Sequence, residues 1–156
     1  MIFKLPIINR VIACVAFGIS LISILSQTIG NATPCQLCLI TRYLFLLVAI
    51  CSFSANYRKW CQFLLITSIL SLFFFTFFHL GVENHWWQGP QNCVSQLPSL
   101  ANIEQEIETN KVYCDRANWI VFGLSSTLWS FLIAAFLTWL TSVTYILNHY
   151  LKALDE

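Results

Sequence analysis

Charged residues are scarce in this chain of 156 residues, where only 10% are Asp, Glu, Lys or Arg. A soluble domain carries roughly a quarter charged residues. With 58% hydrophobic residues and a mean hydropathy of +0.70, the composition is therefore typical of a membrane protein. The net charge of +1 argues against nucleic-acid binding, which needs a concentrated basic face. Internal repeats and low-complexity stretches are also missing, and the length leaves room for one domain.

Four long apolar segments have the length that a membrane span requires, which is about 20 mostly apolar residues. Val11–Ile29 and Trp119–Leu147 carry no charge at all. Trp60–Leu80 is strongly apolar, and Leu39–Ala55 is apolar except for Arg42. The sequence therefore predicts an all-α membrane protein, a bundle of four transmembrane helices that forms a single membrane domain over the whole chain.

Basic residues are distributed unequally between the two sides of this predicted bundle. One side holds Lys4, Arg10, Arg58, Lys59 and Lys152. The opposite side includes the long segment 81–118, where Lys111 and Arg116 are accompanied by five acidic residues. The positive-inside rule places both termini in the cytoplasm and segment 81–118 outside.

The first span also resembles a cleaved signal peptide in one respect. Gly30 and Ala32 are small residues at the spacing of a signal-peptidase site. The uncharged run before them is longer than the usual core of a signal peptide, and its removal would leave an odd number of spans. We therefore expect the first span to be retained.

The seven cysteines separate into two groups on this topology. The outer group is Cys35, Cys38, Cys93 and Cys114, and the group in the cytoplasmic halves of the spans is Cys14, Cys51 and Cys61. Disulfides persist outside a bacterial inner membrane, whereas thiols inside stay reduced. The outer four can therefore form two disulfide bonds, and the inner three are expected to be small core residues.

Cys35-Gln36-Leu37-Cys38 is a C-x-x-C motif. Thr33-Pro34 resembles an N-cap followed by proline at the first helical position, which predicts that the motif opens the second helix. A cysteine there faces unpaired N–H groups and the positive end of the helix dipole, which favour the thiolate. The spacing of three puts both sulfurs on one face, so the pattern indicates a redox-active pair.

A structural bridge and a zinc site are the alternatives for this motif. A zinc site needs more ligands, and the outer side offers His79, His85 and the two loop cysteines. No second C-x-x-C or H-x-x-H accompanies the motif, so the pattern does not favour structural zinc, and we predict no metal.

Arg42 is a charge inside a predicted span, one turn beyond Cys38 on the same helix face. Such a charge is costly and usually functional, and a guanidinium beside a thiolate can donate a hydrogen bond to a quinone oxygen. The alternative is a side chain that extends to the outer headgroups. His79 ends the third segment and suits either a hydrogen bond to a quinone or a simple interfacial position.

Three blocks of residues resemble the disulfide-bond formation protein B (DsbB) family of bacterial inner membranes. They are Pro34–Cys38 with Arg42; His79–Glu83 with Trp86–Pro90 and Cys93; and Cys114–Arg116 with Trp119 and Phe122–Ser125. With four spans in matching order, the resemblance covers nearly the whole chain. It implies a four-helix bundle, a bound ubiquinone or menaquinone, and a periplasmic thioredoxin-fold partner of the DsbA type.

The resemblance also implies a role for each outer cysteine. Cys35–Cys38 is the quinone-linked disulfide, with Cys38 as the thiolate at the ring and Arg42 stabilising the complex. Cys93–Cys114 is the loop disulfide. Its Cys93 exchanges with the partner, and its Cys114 then attacks Cys35 in a relay of thiol–disulfide exchange.

Two further features belong to this interpretation. Thr41 stands where many relatives carry an acidic residue, so the charge of Arg42 is less balanced locally. In the outer segment, Leu97, Leu100, Ile103 and Ile107 recur at three-to-four spacing. They predict a short amphipathic helix that lies on the membrane surface or on the bundle itself.

Two other functions remain as alternatives. Quinone-linked enzymes of the vitamin K epoxide reductase type also pair a membrane C-x-x-C with loop cysteines, but their motif lies towards the C-terminal end of the bundle. A metal transporter or a scaffold with structural disulfides would not be an enzyme. Transporters usually carry paired polar groups deep in their spans, whereas the mid-span positions here hold only Ser, Thr and Cys.

Overall fold

The computed structural model describes residues 5–29, 34–55, 59–90, 114 and 120–154. Its helices are α1 (Leu5–Ile29), α2 (Gln36–Ser54), α3 (Lys59–Glu83) and α4 (Ser126–Leu154). All four are long and apolar enough to cross a membrane. The prediction of an all-α membrane protein with four spans is confirmed.

Each helix extends further at one or both ends than the hydropathy of the sequence indicated, and α4 does so by continuing past Leu147 to Leu154. α1 begins at Leu5 and so includes Arg10, whose side chain is exposed. α2 begins at Gln36 rather than Leu39, because Cys35 caps it. α3 continues to Glu83, three residues beyond the predicted end. Helical hydrogen bonding continues past the apolar stretch in each case, because it does not depend on hydrophobicity.

The residues just before α4 form a β-hairpin and not the start of the fourth span. Its strands are β1 (Ile120–Val121) and β2 (Leu124–Ser125), which pair antiparallel. Phe122 and Gly123 make the two-residue turn, with φ of 52° and 79° as a type I′ turn requires. The hydroxyl of Ser125 accepts the N–H of Leu128 at 3.1 Å and caps α4. This cap places the helix start at Ser126 rather than at Trp119.

The helices pack in chain order, α1 on α2, α2 on α3 and α3 on α4, whereas α1 and α4 make few contacts. The buried core is Ile8, Ile12, Ala16, Phe45, Val48, Ala49, Leu65, Ile69, Leu72, Ala134 and Leu137. Its alanines allow close approach of neighbouring helices, as in other membrane bundles. Large apolar side chains such as Phe17, Phe74 and Trp139 are exposed, which suits a surface that faces lipid.

Buried hydroxyl groups find partners in the helix backbone. Ser20, Thr41 and Thr76 each donate to the carbonyl four residues earlier. Ser52 instead donates to the carbonyl of Asn9 at 2.6 Å and joins α2 to α1. These bonds matter because moving a polar group from water into hydrocarbon without a hydrogen-bond partner costs a free energy on the order of several kcal/mol.

The cysteines inside the spans do not share one environment. Cys51 and Cys61 are half-buried, but Cys14 is exposed on the surface of α1. The expectation that all three are core residues is therefore wrong for Cys14. Thiols are weakly polar and small, so the lipid-facing surface of a helix accepts a cysteine as readily as the core does.

α3 ends in a Schellman motif that directs the following chain back over the helix. Trp86 N–H donates to the Gly81 carbonyl at 2.9 Å, and His85 N–H donates to the Val82 carbonyl at 3.2 Å. His85 adopts the left-handed conformation, with φ of 57°. The Trp87 ring then lies directly on Gly81, where a β-carbon would overlap the ring. Gly81 is therefore required for this close approach.

Candidate active site

Cys35 is the N-cap of α2, a role that the sequence assigned to Thr33. Its backbone is extended, with φ of −71° and ψ of 167°, and its sulfur accepts the N–H of Cys38 at 3.2 Å. Thr33 itself lies outside the described residues, and Pro34 precedes the helix. The C-x-x-C motif thus places its first sulfur at the N-terminus of a helix, where free N–H groups stabilise negative charge.

The two sulfurs of the motif form a close thiol pair. Cys38 Sγ lies 2.7 Å from Cys35 Sγ, so the two sulfurs are within hydrogen-bond distance of each other. A disulfide bond is about 2.05 Å long, so closing the pair needs a shift of roughly 0.7 Å. Both residues are free thiols here. The pair is therefore in its dithiol form and positioned to form a bond.

The surroundings of Cys35 favour its thiolate. The hydrogen bond from the Cys38 thiol lowers the pKa of Cys35, and it outweighs burial, which raises that pKa. The hydrogen bond and charge of His79 lower the pKa further. Since the sulfur is only 1% exposed, this thiolate is stabilised by the protein and not by water.

His79 reaches the pair from α3. Its Nε2 lies 3.7 Å from Cys35 Sγ, and its side chain is 4% exposed. Because α3 continues for one turn beyond it, the residue is inside the bundle and not at the helix end. His79 is thus buried beside the redox pair, while its hydrogen bond to a quinone stays a prediction.

Arg42 is held by α1. Its Nε donates to Ser23 Oγ at 3.1 Å, and one terminal nitrogen donates to the Ser23 carbonyl at 3.0 Å. The other terminal nitrogen donates to Gln27 Oε1 at 2.9 Å. Each terminal nitrogen has two hydrogens and uses one in these bonds, so each has a further N–H to offer a ligand.

A cavity of about 450 Å³ brings these groups together at one end of the bundle. Cys38, Arg42 and His79 all line it, whereas Cys35 lies behind Cys38. The remaining walls come from α1, the hairpin residues Val121 and Phe122, and the first turns of α4. Because α1 and α4 make few contacts, the cavity lies where the bundle is least closed.

Cys114, from the segment between α3 and the hairpin, also lies at the site. It is disulfide-bonded and buried, and it belongs to a small apolar cluster with Cys35, Leu37 and Val82. Trp87 and Cys38 pack against this cluster. Cys93, the other half of the predicted loop disulfide, lies outside the described residues, as does the amphipathic helix predicted around Leu97–Ile107.

Sequence reasoning missed the residues that hold Arg42. Ser23 and Gln27 lie four residues apart, so they share one face of α1. Two polar residues at that spacing, near the end of an otherwise apolar span, could have indicated that this face of α1 binds a polar side chain. Thr41, which precedes Arg42, donates to the Leu37 carbonyl and supplies no countercharge.

The comparisons with known proteins agree with this arrangement. A search of curated proteins gave no match. The sequence model of the family described as "Disulfide bond formation protein DsbB" matches residues 7–144, which is most of the chain. With four spans, a thiol pair at a helix N-terminus and a disulfide-bonded cysteine beside that pair, the chain belongs to the DsbB family of membrane disulfide oxidoreductases.

Proposed function

We propose that this protein is a membrane thiol oxidase that uses a quinone. It re-oxidises a periplasmic dithiol oxidase of the thioredoxin fold, similar to DsbA, and passes the electrons to ubiquinone or menaquinone. The observation that carries the proposal is the cavity itself, which is lined by Cys38, Arg42 and His79 together.

The cavity suits a quinone headgroup in size and chemistry. Its volume of about 450 Å³ is within the range of small-ligand sites, and its lining is mainly apolar. Arg42 has N–H groups available for a ring oxygen, and its tethers to Ser23 and Gln27 hold them in place. The weak contact between α1 and α4 offers a lateral route for a lipid-soluble molecule.

The cysteines are arranged as a relay from the outer segment to the cavity. Cys114 shares a buried cluster with Cys35, Cys35 contacts Cys38, and Cys38 lines the cavity. We propose that Cys93 exchanges with the partner and that the released Cys114 attacks Cys35. Cys38 is then the leaving sulfur, on the side where the acceptor would bind.

The second thiol of the partner then displaces Cys93, and Cys93 displaces Cys35 from Cys114, which restores the loop disulfide and leaves Cys35 and Cys38 as a dithiol. When this inner pair is oxidised again, one S–S bond forms while two protons and two electrons leave. A bound quinone supplies an acceptor for both. Cys38 passes its proton to Cys35 across the 2.7 Å contact and so becomes the nucleophilic sulfur. His79, 3.7 Å from Cys35, stabilises negative charge on that sulfur, and Arg42 stabilises negative charge that develops in the cavity.

We further propose that the chain lies in the bacterial inner membrane with both termini in the cytoplasm. The excess of basic residues at one end of the bundle supports this orientation. Reporter fusions at residue 58 and at the C-terminus are expected to be active only as cytoplasmic reporters. A fusion after residue 90 is expected to be active only as a periplasmic one, and the reverse pattern would contradict the orientation.

Turnover with purified components tests the reaction itself. The protein in detergent is mixed with ubiquinone and a reduced DsbA-type protein, and loss of quinone absorbance is followed. We expect catalytic turnover in the native protein and none in Cys38→Ser. Retained quinone-dependent oxidation of the partner in Cys38→Ser would refute the assignment.

A matched control separates the two cysteine pairs. Cys114→Ser is expected to stop oxidation of the partner protein, yet to leave oxidation of dithiothreitol through Cys35–Cys38 in place. Cys14→Ser, on the lipid-facing surface of α1, is expected to keep both activities. If Cys14→Ser lost activity as completely as Cys38→Ser, the cavity would not be the reaction site.

A further inference from the structure

The reduced thiol pair and His79 form a group of three potential metal ligands. Cys35 Sγ, Cys38 Sγ and His79 Nε2 all lie within 4.8 Å of one another. His79 was one of several available ligands in the sequence, but no pattern singled it out, because His79 is 44 residues from Cys35. The packing of α3 on α2 supplies a third donor that the C-x-x-C motif lacks on its own.

We propose that the dithiol form binds one thiophilic divalent cation, with Zn²⁺ as the representative ion. Two thiolates and an imidazole are the donors that such an ion prefers. Cys38 and His79 both line the cavity, so the fourth coordination position faces it and takes a water molecule. This is an open three-ligand site, in contrast to the closed four-ligand structural sites that the sequence disfavours.

The distances agree with tetrahedral coordination. Bonds of about 2.3 Å to sulfur and about 2.05 Å to nitrogen place a sulfur and a nitrogen roughly 3.6 Å apart. Cys35 Sγ and His79 Nε2 are 3.7 Å apart. The two sulfurs, at 2.7 Å, must separate by about 1 Å to reach the roughly 3.8 Å of a tetrahedral pair. Rotation of the half-buried Cys38 side chain into the cavity provides this movement.

Charge also suits the site. Zn²⁺ binds both sulfurs as thiolates and displaces any proton that they hold, so the product is a neutral group of one dication, two thiolates and one imidazole. A neutral complex avoids the large free-energy cost of an unpaired charge in apolar surroundings. It also avoids net repulsion with the Arg42 guanidinium, which lines the same cavity and is tethered to α1.

The consequence, which rests on the proposed function, is reversible inhibition. Sulfurs that coordinate the ion cannot form the Cys35–Cys38 bond, and the ion occupies the cavity wall where the acceptor would approach. No oxidation or reduction is involved, because Zn²⁺ keeps its charge and only protons are exchanged. Zn²⁺ would therefore hold the protein in its reduced state.

Metal binding is measured on reduced, quinone-free protein by competition with a chromophoric chelator. We expect one Zn²⁺ per chain, and none when the Cys35–Cys38 pair is oxidised. His79→Ala is expected to weaken binding by about 100-fold, as loss of one of three ligands should. A stoichiometry well below one, or equal affinity in His79→Ala, would overturn the proposal.

Two further measurements keep the result independent of misfolding and of catalysis. A variant with Cys14, Cys51 and Cys61 all changed to serine is expected to keep the stoichiometry, because these thiols are outside the site. Co²⁺ in place of Zn²⁺ is expected to show a tetrahedral spectrum with thiolate-to-metal charge transfer. Binding that survives in Cys35→Ser/Cys38→Ser, or an octahedral Co²⁺ spectrum, would contradict the site even if quinone turnover were observed.

Discussion

Cys35 and Cys38 belong to one motif but have different tasks in the structure. Cys35 caps α2, contacts His79 and packs with Cys114, whereas Cys38 lines the cavity. The sequence predicted a thiolate at the helix N-terminus and, by resemblance, gave the quinone-facing role to Cys38. The structure adds that the pair shares a proton, so stabilisation of one sulfur and reactivity of the other are linked.

The first prediction concerns the titration of Cys35 in reduced, chelator-treated protein without quinone. Because its pKa is lowered, its thiolate should form below the usual value of about 8.5. Cys38→Ala should raise the pKa of Cys35 most, since the Cys38 thiol is the largest cause of the shift, and His79→Ala should raise it less. The difference in thiolate absorbance between native protein and Cys35→Ala measures it. An unchanged titration in Cys38→Ala would contradict the shared proton.

The same shift links stability to pH. A lowered pKa in the folded state means that folding favours the thiolate, so the stabilisation is complete above about pH 8.5. It is lost as the pH falls through the lowered pKa. The melting temperature of the reduced native protein, relative to Cys35→Ala, should therefore rise with pH across this window and then level off.

The second prediction concerns Arg42. Arg42→Ala should raise the KM for quinone by roughly 10- to 100-fold, because it removes charged hydrogen bonds worth about 1.5–3 kcal/mol. Steady-state turnover with quinone varied at saturating partner measures the effect. Gln27→Ala is the matched control, since it removes one tether and leaves the guanidinium in the cavity. It should change KM only a few-fold, and equal losses in both variants would indicate a purely structural role for Arg42.

Among the elements, the hairpin before α4 departs most from what the sequence pattern indicated. Segment 119–125 is uncharged and largely apolar, so hydropathy alone joined it to the fourth span. The turn at Phe122-Gly123 and the Ser125 cap interrupt the helix, and Trp129 Nε1 donates to the Val121 carbonyl to hold the hairpin on α4. The residues that favour a turn are a local signal in the sequence, but hydropathy does not reveal that turn when the residues around it are apolar.

The third prediction concerns Phe122, which has a positive φ of 52° and is 94% exposed at the cavity. Phe is strained in this conformation, whereas Asn is the preferred residue at this turn position. Phe122→Asn should therefore leave stability unchanged or raise it by about 1 kcal/mol, while weakening quinone turnover through loss of the apolar rim. Thermal unfolding and KM for quinone, measured on the same preparation, check both effects.

Phe122→Leu serves as the control for that variant. It keeps an apolar side chain at the rim and keeps the backbone strain, so KM should stay near the native value. If Phe122→Asn and Phe122→Leu had the same KM, the rim would contribute nothing to quinone binding.

On the scale of the whole molecule, the packed core and the candidate site occupy different ends of the bundle. The core cluster runs from Ile8 and Leu65 to Ala16 and Leu72, while the cavity lies near the ends of α1 and α3 and the starts of α2 and α4. α1 and α4 make few contacts with each other, and the cavity is lined by residues of both helices. Stability and chemistry are therefore carried by largely separate sets of residues.

The fourth prediction tests this separation with Leu72→Ala. Leu72 is fully buried in the core. In lipid the transfer of apolar groups from water contributes little, so the loss is mainly the cavity term, about 1–3 kcal/mol. The melting temperature in detergent should fall, whereas kcat per folded molecule at a lower temperature should stay native. A large fall in kcat without a fall in stability would place Leu72 in the reaction.

The sequence by itself determined the number of spans and the fold class, and it indicated that the C-x-x-C motif opens the second helix, because hydrophobic length and residue spacing along one helix are local properties. It also indicated Arg42, because a charge in a span is costly. Tertiary structure decided which sulfur faces the cavity, that His79 meets Cys35, and that Ser23 and Gln27 hold Arg42. Those contacts join residues on different helices, and helix rotation and packing, which no local pattern encodes, bring them together.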